Sequence, residues 1–376
     1  MYDNLIDFLE PINIAEISND EGFTDKQLGN HIAVFQHQLP DIDAADAVIV
    51  GCGDLRGDGV AYSNIYGPNA VRSQLYNLFH WHSNVHLADV GNVKIGSTLK
   101  DSYAALQTVV YELVALGKKV IIIGGSHDLS LAQYNVYATM QKQINIACVD
   151  AVVNLNMDSV LPSQNFLMPL LTSEPNYVKH YTHIGFQSYL VHPQMLETID
   201  KLRFDCFRVG KVKESIEEME PVLRQAQMLS FDMQALQHAH APSNSISPNG
   251  FTGEEACSLL QYAGMSNTIT TVGIYGLHSL KDTEELAAKQ ISHMIWYFMD
   301  GIYKAKHEAS IEETEMFNHF GVLASDFEIN FLQSKRTGRW WMKAHNNDLL
   351  PCSKTDYLLA TNNEIPERWM RYAERH

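Results

Sequence analysis

The chain has 376 residues, 45% of them hydrophobic, enough to bury a large core in one big domain with an appendage or in two domains. Its 27 Lys and Arg against 44 Asp and Glu give a formal charge of -17, which repels phosphate backbones and argues against a nucleic-acid partner. No apolar run reaches bilayer length and the amino-terminal stretch lacks a basic start before an apolar core, so the expected setting is cytoplasmic and off the membrane.

From about residue 45, short β-branched runs alternate with helical stretches, the pattern of parallel βαβ units. The expected strands are Ala47 to Val50, Val120 to Ile123, Ile144 to Val149, His183 to Phe186, Cys206 to Val209, Met228 to Phe231 and Thr271 to Tyr275. Most are apolar on both faces, as strands covered by helices on two sides should be. The fold class that follows is α/β: a three-layer parallel sheet with helices on both faces. Helices are expected over Gly67 to Phe79, with Pro68 in its first turn, over Ser102 to Leu116, stopped by Gly117, and over Thr283 to Tyr303. In the last, Leu286, Ile291, Met294, Ile295, Phe298 and Ile302 recur at mostly three-and-four spacing and read as core.

After about Glu308 the rhythm changes. Phe327 to Gln333 and Arg339 to Lys343 read as a β-hairpin joined through Ser334 to Gly338, in which Trp340 and Trp341 pack. A helix starts near Ser353, and Pro366 points to a last helical turn. Residues 1–307 are thus expected to form an α/β domain and 308–376 a hairpin-plus-helix extension. The five cysteines (Cys52, Cys148, Cys206, Cys257, Cys352) include no C-x-x-C pair and read as buried free thiols.

Parallel sheets bind ligands outside the carboxyl ends of their strands. Three strand ends stand out there: Gly124-Gly125-Ser126-His127-Asp128, Asp150-Ala151-Val152-Val153-Asn154 and Asp232-Met233-Gln234-Ala235-Leu236. If these extensions stay extended, Asp150, Val152 and Asn154 share one direction, as do Asp232 and Gln234. Ser126, His127 and Asp128 are not a catalytic triad, because neighbours in sequence diverge. Taken alone, His127 reads as a satisfied core histidine, and the His238/His240 pair as a polar loop.

These three segments resemble the signature motifs of the ureohydrolase superfamily, which includes arginase, agmatinase and formimidoylglutamase: Gly-Gly-x-His, Asp-Ala-His-x-Asp and Ser-Phe-Asp-x-Asp. Ser230 and Phe231 open the third motif. Gly67, Pro68 and Arg72 resemble a Gly-Pro-x-x-x-Arg helix of that family, Ala241 and Pro242 the Ala-Pro-Gly that trails its third motif, and Gly185, Phe186 and Gln187 look closest to its formimidoylglutamase branch. The resemblance covers roughly residues 45 to 305. It implies an arginase-like fold and six side chains that hold two manganese ions around a bridging hydroxide.

On that resemblance His127, Asp150 and Asp232 stand where the family has a histidine and two bridging aspartates. Val152, Asn154 and Gln234 stand where it has a histidine and two further aspartates, and Gly276 where the formimidoylglutamase branch carries a substrate-pairing glutamate. Asn156 matches an asparagine that in arginases contacts substrate. The retained ligand set is then His127, Asp150 and Asp232, with Asn154 as a carbonyl donor, suited to one Mn, Fe or Zn ion or to none. A two-metal cluster is not expected, since two carboxylates cannot balance two dications at the ~4 Å spacing of a binuclear site. The leading expectation is a pseudoenzyme with a binding or assembly role. The alternative is a one-metal hydrolase acting on the non-peptide C–N bond of a linear amidino or formimino amino acid. The implied partners are a small amidino or amino-acid ligand and further subunits, as a homo-oligomer or a hetero-oligomer with an active paralogue.

Overall fold

The computed structural model describes residues 3–18, 22–60, 66–346 and 348–375. The main sheet is built from β1 (Leu9–Glu10), β2 (Ala33–Val34), β3 (Ala47–Cys52), β4 (Leu87–Val93), β5 (Lys119–Gly124), β6 (Ile144–Val149), β7 (Val178–Phe186), β8 (Asp205–Arg208), β9 (Met228–Asp232) and β10 (Thr271–Tyr275). Their order is β1-β4-β3-β5-β10-β9-β6-β7-β8, with β2 pairing to β4. Only β1 runs antiparallel to its neighbour.

Successive residues of the central strands feed two cores on opposite faces. Ile49, Ile121, Ile123, Val149, Leu229 and Ile274 pack with the helices Tyr66–Leu75, Gly253–Gly264 and Leu286–Ala305. Val48, Val50, Val120, Ile122, Ile146 and Met228 pack with Leu99–Ala115 and Ser130–Thr139. This is the three-layer arrangement that the apolar strands imply, because side chains alternate faces at period two. Five of the six residues in the stripe from Leu286 are buried. Leu286 itself is exposed, since the helix begins there rather than at Thr283. Asp282 sets that start, its carboxylate accepting from the Ala287 and Ala288 amides at 2.9 Å each.

The sequence reading misses β4, whose Asp89, Gly91 and Asn92 break the apolar run. Those groups are buried against Arg72. Its Nε and Nη2 donate to Asp89 at 2.8 and 2.9 Å, its Nη1 to Asn92 Oδ1 at 2.6 Å and its Nη2 to the Gly91 carbonyl at 2.9 Å. Arg72 is thus a buried strut between helix and sheet.

The carboxyl-terminal part holds the expected hairpin and extends it to an antiparallel sheet of β11 (Phe317–Ala324), β12 (Phe327–Ser334), β13 (Trp340–Lys343) and β14 (Leu349–Cys352) in sequential order. This sheet has its own core of Ile329, Phe331, Trp340, Met342 and Leu350, against helices Lys354–Thr361 and Glu367–Arg375. Trp340 stacks on Tyr357 at 4.8 Å, whereas Trp341 lies on Arg224 of the main body, 4.3 Å from the guanidinium carbon to the ring centroid. All five cysteines are free thiols, four of them buried and Cys206 partly so. Among the described residues no helix is long and apolar enough to cross a membrane.

Candidate metal centre

Four adjacent strands, β5, β10, β9 and β6, deliver the candidate residues from their carboxyl ends. β5 ends at Gly124, and a single 3-10 turn, His127–Leu129, follows it. Gly125 leaves no room for a side chain, because a Cβ there would meet the Asp54 carbonyl oxygen at 2.1 Å. His127 therefore enters the crevice over the sheet. Asp150 follows β6 directly and Asp232 ends β9.

His127, Asp150 and Asp232 converge, with ligating atoms all within 4.8 Å of one another. The His127 Nδ1 lies 2.9 Å from Asp150 Oδ2 and 3.1 Å from Asp232 Oδ2, and its Nε2 lies 2.8 Å from Ser230 Oγ. All three residues are almost fully buried, at 2%, 1% and 2% exposure. Asn154 joins them, its Nδ2 donating to Asp150 Oδ2 at 2.7 Å. The remaining carboxylate oxygens accept from backbone: Asp150 Oδ1 from the Val152 amide at 3.2 Å and Asp232 Oδ1 from the Gln234 amide at 2.7 Å.

The electrostatics of the cluster follow from burial and charge. Burial pulls the His127 pKa down, but the Asp232 charge and the Asp150 and Asp232 hydrogen bonds reverse this and raise it well above 6.5. Burial also opposes ionisation of Asp150, yet the hydrogen bond and charge of His127 hold it below the ordinary carboxylate value. Asp232 is left above that value, because burial and the Asp150 charge outweigh what His127 gives back. Charge and protons are thus shared across His127, Asp150 and Asp232 as one unit, with the more strongly held negative charge on Asp150.

Asp150 and Asp232 meet with His127 between them, and one sequence expectation is corrected here. Gln234 does not run parallel to Asp232, since the chain leaves β9 in a 3-10 turn, Met233–Ala235, and Gln234 offers the carboxylate its backbone amide. Val152 is half-buried and likewise contributes its amide. Gly276 has φ +82° and stands against Asp232, where a Cβ would lie 2.4 Å from Oδ1. Any side chain at 276 would displace that carboxylate.

The rejected triad is indeed divergent: Asp128 turns away from His127 to accept a hydrogen bond from the Tyr103 hydroxyl. His238 is occupied by the Asn244 carbonyl at 2.7 Å, as a loop residue would be. The Asn156 side-chain oxygen accepts from the Asp158 amide at 3.2 Å, closing a local turn. Sequence reasoning passed over Ser130, one turn after His127, whose hydroxyl lies 2.7 Å from Ser230 Oγ and donates to the His127 carbonyl at 2.7 Å. It also missed Cys148 and His183, cross-strand partners beneath Asp150. Burial alone would raise the Cys148 thiol, but His127 and His183 bring it down to about 7.

Residues 45–300 match the profile of the arginase family. The chain belongs to that family. Over 147 residues it is 28% identical to a formimidoylglutamase of Hahella chejuensis (strain KCTC 2396), a match covering 36% of this chain and 44% of that one. Over 101 residues it is 28% identical to an arginase of Brevibacillus brevis, covering 27% and 34% respectively. The chain thus spans less than half the length of these curated relatives. Its fold is similar to that of Trypanosoma cruzi formiminoglutamase with Mn2+ (TM-score 0.64, 20% identity, 70% of this chain and 95% of that). It is also similar to that of Bacillus subtilis formimidoylglutamase (0.64, 15%, 74% and 92%).

The family is normally manganese-dependent, and the residues present fit one divalent ion. An imidazole and two carboxylates within 4.8 Å, with an amide beside them, are donors of the kind that Mn, Fe and Zn take. Among the described residues the acids of the cluster are Asp150 and Asp232, and Val152 offers no lone pair beside them.

Proposed function

We propose that this arginase-family chain is a pseudoenzyme, closest to the formimidoylglutamases, in which an internal cation has replaced the metal cluster and whose role is binding or assembly in the cytoplasm. The observation that carries this reading is the approach of one His127 nitrogen to both Asp150 and Asp232, at 2.9 and 3.1 Å. A histidinium there neutralises one of the two acids, and the second can hold a proton. The cluster is then close to neutral without any ion. Gly276 adds to the argument, since it supplies no charge to orient a cationic substrate and leaves no space for a side chain that could. Loss of nucleophile activation and of substrate positioning each removes several kcal/mol of barrier lowering.

The second reading, a one-metal hydrolase of an amidino or formimino amino acid, is favoured by the compactness of the three-ligand set. In that state His127, Asp150 and Asp232, with Asn154, would hold the ion, which would supply Lewis acidity. Asp232 and Asp150 then serve as anionic ligands rather than as partners of an imidazolium, and Ser230 orients the histidine through Nε2.

Elemental analysis of protein purified without chelator or added metal separates the two. The pseudoenzyme should carry far less than one equivalent of Mn, Fe or Zn. A stoichiometric ion that disappears in Asp232→Asn, with release of formamide, ammonia or urea from candidate amidines, would establish the hydrolase instead. Co-purification with a metal-replete paralogue would specify assembly in a hetero-oligomer as the role.

A further inference from the structure

Independently of the centre at the strands' carboxyl ends, the opposite edge of the sheet carries a second polar feature. A crevice of about 850 Å³ lies where the starts of β6 and β7 and the approach to β10 face β13 and β14. Arg224, near the end of the helix Met219–Gln225, is 6% exposed and forms part of its wall. The Arg224 Nη2 donates to the Trp340 and Cys352 carbonyls at 2.9 and 3.3 Å and pairs with Glu220 at 3.0 Å. Its Nε and Nη1 are buried with no hydrogen-bond partner.

A buried guanidinium with unpaired donors is costly, and a guanidinium is also the side chain best matched to carboxylate and phosphate oxygens. Burial pulls the Arg224 pKa down, despite Glu220, to about 10, so it remains a cation at neutral pH. Lys179 lines the same crevice, exposed, and makes no ion pair or hydrogen bond among the described residues. The acids in the wall are already committed. Glu308 is held by Arg339 at 2.9 Å and by Ser334 and Thr337, and Asp348 by Asn346 at 2.9 Å and by Tyr372. Arg224 and Lys179 thus line one crevice, and the Arg224 guanidinium, though paired with Glu220, keeps two donors open.

We propose that this crevice binds a small oxyanion, a carboxylate or phosphate group, on Arg224 and Lys179, and that the bound anion ties the carboxyl-terminal sheet to the α/β body. The anion would complete the donors that the protein leaves open. It would also link the strand starts, which belong to the main sheet, to β13 and β14, whose carbonyls already hold Nη2.

The test is calorimetric titration of the full, chelator-treated chain with inorganic phosphate and, separately, with malonate, against chloride at matched ionic strength. One equivalent should bind saturably, with a rise in melting temperature that follows occupancy. The tighter of the two probes identifies phosphate or carboxylate as the natural chemistry. Lys179→Ala should weaken binding about two- to fivefold, as loss of an exposed charge does. Arg224→Met should weaken it about tenfold or more, as loss of a hydrogen bond to a charged group does. If Arg224→Met does not fold, Lys179→Ala decides, since its side chain is exposed. Absence of saturable binding by either probe, or unchanged affinity in Lys179→Ala and in any folded Arg224→Met, would overturn the proposal.

Discussion

Replacing His127 with alanine in chelator-treated protein isolates the electrostatic role of that residue, because no metal is then available to lose. The imidazole is 2% exposed and is the cation nearest to Asp150 and Asp232. After its removal Asp150 keeps Asn154 and the Val152 amide, and Asp232 keeps only the Gln234 amide. Breaking a buried ion pair from one side costs roughly 3–5 kcal/mol, a large share of the ~5–15 kcal/mol by which a domain is stable. Urea denaturation should therefore show a loss of about that size at neutral pH. The loss should also depend on pH. The His127 pKa is raised above 6.5, so its stabilisation is fully present below that value and fades as pH rises through the raised one. The Asp150 pKa is lowered from 3.8, so its contribution is present above 3.8 and is lost as pH falls through the lowered value. The gap between wild type and variant should thus be widest between pH 3.8 and 6.5 and shrink on both sides. Adding Asp232→Ala to His127→Ala should recover part of the loss, a coupling of about 0.5–3 kcal/mol. A loss below ~1 kcal/mol, or one that is flat with pH, would refute the histidinium description.

Restoring the family's ligands with Val152→His, Asn154→Asp and Gln234→Asp together should raise manganese content toward two equivalents by elemental analysis. The same variant without metal should be less stable by ~1–3 kcal/mol, because the 2.7 Å Asn154–Asp150 hydrogen bond becomes a contact between two acids. Gly276→Ala should cost at least ~2 kcal/mol in thermal unfolding, combining a positive φ with a Cβ 2.4 Å from Asp232 Oδ1; a near-neutral result would mean that Asp232 moves freely. Arg72→Met should cost ~3–5 kcal/mol in denaturant, since it strands Asp89 in the core, and should leave metal content unchanged.

What the sequence discloses depends on whether the physics is local. β3, β5, β6, β9 and β10 were legible because both faces of each are apolar, a pattern carried by the strand itself. β4 was not, because the polarity of Asp89 and Asn92 is compensated by Arg72, which belongs to another element. β14 was hidden by Pro351, tolerated because β14 lies at the edge of its sheet. At the centre, the strand ends correctly place His127, Asp150 and Asp232 in one crevice. The direction of Gln234 was misjudged because period-two reasoning holds only while the chain stays extended. The 3-10 turn after Asp232 ends that.

On the proposed pseudoenzyme reading, the departures at 152, 234 and 276 act as one physical adjustment rather than as three independent ones. On that reading, Asp150 and Asp232 balance a single positive charge carried by an existing ligand rather than two dications. His127 can supply that charge only if Asp232 leans toward it, and Asp232 is held in that pose by the Gln234 amide and by the space over Gly276. A side chain at 276 and the observed Asp232 conformation exclude each other at 2.4 Å. The substrate-facing position and the metal-facing position are therefore coupled through one carboxylate. Once its pose serves the histidinium, regaining a glutamate at 276 requires moving Asp232, and moving Asp232 exposes His127 as an unpaired buried cation.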